Sequence, residues 1–133
     1  MHELMLRVSL RQGDFLGPGK VRLLELIDET GSISAAARMM EMSYRRAWLL
    51  VDNMNAAFRA PVLIAAVGGT QGGGAVLTPF GHEVVARYRH METTARKAIN
   101  ADLAALKARA RTSPLAARRS RVKPPRAPRI KAR

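Results

Sequence analysis

Arg45 and Arg46 are the residues whose type and position best fit a recognition task. They follow Ser43 and Tyr44 at the start of a helical stretch, where an arginine can grip guanine O6 and N7 bidentately or hold a phosphate. On a wheel of about 100° per residue, Arg45, Arg46, Leu49 and Asn53 share one side, with Asp52 at its edge. Ala47, Leu50, Val51, Met54 and Phe58 share the other side and face a core. Leu49 is odd on a solvated face, but contact with a thymine methyl would suit it. Trp48 falls between the faces and reads as a partly buried anchor, with a base contact as the alternative. Two adjacent arginines alone would be ordinary surface charges, so the assignment depends on the elements around them.

Those elements are local and recognisable. Ser34 is a good N-cap for a short helix over 35–40, in which Ala36 and Ala37 are small enough for a close helix crossing. Glu41 and Met42 make a tight turn, and Ser43 caps a longer helix to about Phe58. This is a helix-turn-helix pattern. Upstream, Leu4, Leu6, Val8 and Leu10 alternate as in a half-buried strand. Turn residues follow, then a helix in KVRLLELIDET that buries Leu23, Leu24 and Ile27 and stops at Gly31. Downstream, 62–67 and 75–77 read as two strands around GGTQGGG, a hairpin tip carrying Thr70 and Gln71. A phosphate-binding P-loop is excluded there, because no Lys-Ser/Thr follows the glycines and a strand, not a helix, comes next. Thr78 and Pro79 open a helix that runs to about residue 106, with Val84, Tyr88, Met91, Ala95 and Ile99 in a stripe. The stripe is longer than so small a domain needs for itself, so a second copy of the chain is the expected cover.

Composition narrows the class. The 133 residues contain no cysteine, which excludes a disulfide framework, a thiolate metal site and a cysteine nucleophile. His2, His82 and His90 are scattered, with no catalytic partner or metal-ligand spacing. The expectation is therefore no enzyme, no catalytic residue, no metal and no cofactor. No apolar run approaches the roughly 20 residues of a membrane span. The net charge is +13. Residues 1–106 carry only +2 of it, whereas 107–133 hold 11 basic residues and no acidic one. The expected organisation is a folded domain over 1–106 and a disordered basic arm over 107–133, able to meet a polyanion.

The stretches GSISAAA, MSYRRAW and GGTQGGGAVLT resemble the N-terminal DNA-binding domain of the ModE family of molybdate-responsive regulators over about Leu4 to Glu92. GSISAAA by itself is also shared with LysR-type regulators. The resemblance implies a mainly α fold with a small β-wing (α+β), a winged helix-turn-helix followed by a long C-terminal dimerisation helix. It implies a bacterial, cytoplasmic, nucleoid-associated homodimer that reads a palindromic operator in double-stranded DNA, with no membrane partner. DNA-binding residues would be Ser34, Ser43, Tyr44, Arg45, Arg46, Leu49, Asn53, Thr70 and Gln71, and the dimer interface Val84, Tyr88, Met91, Ala95 and Ile99. Family members carry C-terminal molybdate-binding modules, for which the sequence after Leu106 has no counterpart, so direct molybdate binding is not expected. The competing expectation is an architectural nucleoid-type protein that binds DNA without strong sequence preference.

Overall fold

A computed structural model describes residues 3–66 and 74–112. Two units divide the chain, Met1–Lys97 and Ala98–Arg133. In order, the elements are β1 (Val8–Arg11), β2 (Asp14–Leu16), α1 (Pro18–Thr30), α2 (Ile33–Met39), α3 (Tyr44–Ala57), β3 (Leu63–Ala65), β4 (Ala75–Leu77) and α4 (Pro79–Lys107).

Two features differ from the expected single β-wing on a helical domain. β1 and β2 form an antiparallel hairpin of their own, with Val8 opposite Leu16 and a register shift between Ser9 and Arg11. β3 and β4 form a second, separate two-stranded sheet, with Leu63 opposite Leu77. The expected fold class is corrected accordingly: the architecture is four helices with two small sheets. The tip between β3 and β4, with Thr70 and Gln71, lies outside the described residues. β2 escaped the sequence reading because three residues are too few to show a period-two pattern.

α1 is set by Pro18 at its start and Gly31 at its end, where a φ of 71° puts the backbone in the left-handed region. The Gly31 N–H donates to the Ile27 carbonyl at 2.7 Å, and its own carbonyl accepts from Ala75 N–H at 2.9 Å, so one residue ends α1 and anchors β4. Val21, Leu23, Leu24 and Ile27 are fully buried on the inner face of α1, with Ala36, Ala47, Met54, Val62 and Tyr88 also in the core. The stripe along α4 divides. Val84 and Tyr88 belong to this chain's own core, and the Tyr88 hydroxyl donates to the Leu6 carbonyl at 2.6 Å. Placing those two in a dimer interface is therefore corrected: helical spacing marks an apolar face without saying what covers it. Met91 is 40% exposed and Ala95 is half-buried. In the second unit, Ile99 is half-buried and Leu106 exposed.

α4 is pinned to α1 by charge. Arg89 donates to both Glu25 oxygens, at 2.6 and 3.1 Å, and to buried Glu92 at 2.6 Å. Hydrogen bonding from Arg89 holds the Glu25 carboxyl below its ordinary value of 4.5, against the opposing effect of burial. A depressed folded pKa contributes stability that is present above pH 4.5 and lost as pH falls below it. Replacing Arg89 by Met should therefore lower the melting temperature at neutral pH, and the gap to wild type should narrow on acidification below pH 4.5. A gap that is constant from pH 7 to pH 3 would show that the pair contributes packing alone.

Candidate nucleic-acid interface

α2, its following turn and α3 carry most of the residues expected to contact DNA. Ser32, not Ser34, caps α2: its hydroxyl accepts from Ala35 N–H at 3.1 Å. Two serines in GSIS satisfy the capping preference equally, and the left-handed turn at Gly31 puts Ser32 in the extended conformation a cap needs. The expected cap at Ser34 is thus corrected. Ser34 lies inside α2, exposed, and accepts from Arg38 at 3.4 Å. Ala36 and Ala37 are buried where α2 meets its neighbours, as their size requires. In the turn, Glu41 adopts a φ of 56°, a conformation in which a non-glycine residue is strained.

Ser43 caps α3 by accepting from Arg46 N–H at 3.1 Å. Ala47, Val51 and Met54 are buried beneath the helix, and Leu50 and Phe58 are half-buried beside them. Tyr44, Arg45, Arg46, Leu49 and Asn53 are all exposed, so the structure brings five of the nine proposed DNA contacts onto one helix, with Ser43 exposed at its start. The side chain of Asn55, absent from the sequence reading, holds the chain as it leaves α3. It accepts from Val62 N–H at 2.8 Å and donates to the Leu63 carbonyl at 3.2 Å. Its helical position gave no hint of this, since both partners lie beyond the helix.

The charges sort by partner. Among the described residues, Arg11, Arg22, Arg87 and Arg89 are ion-paired to carboxylates, whereas neither Arg45 nor Arg46 is. No acidic residue lies in the first turn of α3 either. Helix N-termini carry partial positive charge, so two uncompensated cations there cost stability until an anion arrives. Asp28, Glu25 and Glu29 of α1 instead line a separate acidic cleft with His82.

Trp48 is partly buried, at 47% exposed, and with Tyr44 and Ile64 it lines a cleft of about 320 Å³ between α3 and the β3–β4 sheet. Among the described residues no cluster of His, Asp or Glu could hold a metal ion, and no helix is long and apolar enough to cross a membrane.

No family model matches the chain. It is 48% identical over 90 residues to the molybdenum-pterin-binding protein MopB of Rhodobacter capsulatus, covering 68% of this chain and 33% of that protein. It is 40% identical over 88 residues to the molybdenum transport protein ModE of Azotobacter vinelandii, 66% of this chain and 33% of that one. With the DNA-binding transcriptional dual regulator ModE of Escherichia coli K12 it shares 35% over 98 residues, 74% of this chain and 37% of the regulator. The chain thus spans about a third of the length of the relatives it matches. The relatives include transcription regulators and molybdenum-binding proteins, none of these three being named as an enzyme.

These likenesses correct the resemblance stated from the sequence. Its assignment to a ModE N-terminal winged helix-turn-helix domain, with LysR-type kinship and without molybdate-binding modules, is not upheld. Identity to a protein named for molybdenum-pterin binding exceeds that to either ModE protein, so the likeness is not confined to DNA-binding regulators. It also removes the ground for excluding molybdate as a ligand.

Proposed function

We propose that this chain binds double-stranded DNA in transcription regulation, with the exposed side of α3 against the major groove. The observation that carries this reading is the pair of unpaired arginines in the first turn of a capped, well-packed helix, Arg45 and Arg46. Arginines left without carboxylates at the positive end of a helix favour a polyanion there. Tyr44, Leu49 and Asn53 add polar and apolar contacts on the same side, and Ser34 and Ser43 flank it. Thr70 and Gln71 are proposed contacts from the β3–β4 tip. A second copy would cover Met91, Ala95 and Ile99 and set two α3 helices against two half-sites. The 11 basic residues of 107–133, with no acidic one among them, suit contact with phosphates.

Selection of binding sites from random duplexes tests the reading. A regulator should prefer its selected site about a thousandfold or more over random DNA, and an architectural protein should not. Truncation after residue 112 should flatten the slope of log affinity against log salt by several units, at about 0.9 per phosphate contact. The loss should be similar on selected and random DNA, because phosphates carry no sequence. An unchanged slope would remove the segment from the DNA. The 48% identity to MopB favours a second reading, a molybdenum ligand acting on the same chain. Calorimetry with molybdate, and DNA titrations with and without it, separate the two.

A further inference from the structure

Tyr44, Trp48, Leu49 and Ile64 are large side chains left 56%, 47%, 44% and 49% exposed. Isolated exposed apolar groups are ordinary, but Tyr44, Trp48 and Ile64 converge on one cleft. The partner that covers them must also tolerate their neighbours. At about 100° per residue, Arg45, whose charge is unpaired, sits on α3 between Trp48, roughly 60° to one side, and Leu49, roughly 40° to the other. An apolar wall beside uncompensated cations suits a polyanion that carries an apolar group on its edge. In the major groove of DNA that group is the thymine C5-methyl.

We propose that Trp48, with Tyr44 and Ile64 beside it, is a specificity-determining contact that recognises a thymine methyl in the bound site. This rests on the DNA-binding reading above and goes beyond it, by assigning to Trp48 a base preference that the arginines do not supply. The arginines select guanine or phosphate, whereas an indole face selects the methyl by excluding water from it. Asp52, exposed and lining the same cleft, keeps phosphates away from this part of α3 and favours base edges.

The test uses the full chain, whose single tryptophan is Trp48. Acrylamide quenching of its emission is measured while binding is followed independently by anisotropy of a labelled selected duplex. Bound DNA should shield Trp48. Each thymine of the duplex is then replaced singly by deoxyuridine, which removes only the methyl. Burial of one methyl corresponds to about fourfold in affinity, so at one position or more wild type should lose about that factor. Trp48→Ala, checked for folding by circular dichroism, should bind thymine and uracil equally at that position, and Trp48→Phe should retain part of the discrimination.

Unaltered quenching in the DNA complex, or full methyl discrimination in Trp48→Ala, overturns the proposal and leaves DNA binding standing. Shielding that grows with protein concentration in the absence of DNA overturns it in favour of a second copy. If wild type binds no duplex, the DNA-binding reading fails first and this one with it.

Discussion

Arg45→Ala and Arg46→Ala should each lower affinity for the selected duplex by about 1–3 kcal/mol, roughly five- to 150-fold, without loss of fold stability. The two halves of that result have one cause. Neither arginine is paired with a carboxylate, and both sit where the α3 dipole is positive, so removing them takes away repulsion as well as recognition. Melting temperatures should stay level or rise slightly while binding falls. Lysine separates the roles: it keeps a phosphate contact as a point charge but cannot form the planar bidentate grip on guanine. Arg45→Lys or Arg46→Lys should therefore keep affinity for random DNA and lose preference for the selected site. Equal losses on both DNAs would restrict the arginines to phosphates. No loss on either would remove α3 from the interface.

The second large effect is on folding. Gly81 sits in the first turn of α4, and a Cβ there would lie 2.0 Å from the Val62 carbonyl oxygen and 3.0 Å from its carbon. Both atoms are backbone, so no rotamer change can relieve the overlap. Val62 is itself held, fully buried, by the Asn55 side chain on its N–H and by Thr78 N–H on its carbonyl. Gly81→Ala must push the start of α4 away from the β3 approach, at a cost of about 1–3 kcal/mol or more. For a domain of this size that lowers the melting temperature by on the order of 10 °C. Gly19→Ala is the matched control, since nothing lies within 4 Å of its Cβ position in α1. Helix propensity alone should make that change stabilising by up to about 1 kcal/mol. Two glycine-to-alanine changes in helices should thus have opposite signs. If Gly81→Ala melts with wild type, the close approach of α4 to Val62 is wrong.

Much of the local structure was legible because its causes are local. Ser43 and Thr78 have the residue type and position of caps, and each accepts from the N–H three residues on. Gly31 was read as a stop, and its left-handed backbone is the reason α1 ends. The inward face of α3 followed from spacing alone, with Ala47, Val51 and Met54 buried as expected. Ser32 caps α2 in place of Ser34 because the two serines offer equivalent chemistry and the choice depends on how the preceding turn enters the helix.

What the sequence determined by itself, then, was where helices form, several of the residues that cap or stop them, and which faces are apolar, since each depends on neighbours within about four positions. What covers an apolar face depends on residues far along the chain, and only the tertiary structure decided that. Val84 and Tyr88 face inward because Leu6, 82 residues away from Tyr88, brings its carbonyl to the tyrosine hydroxyl. Trp48 faces outward because Val62 and Leu63, clamped by Asn55, set β3 beside α3 and leave a cleft there. Arg89 is neutralised by Glu25 from another helix, while Arg45 and Arg46 remain unpaired. Periodicity reports that a side chain leaves the helix on one side. Whether core, solvent or a partner waits there is settled by loop closures across tens of residues, which no local pattern encodes.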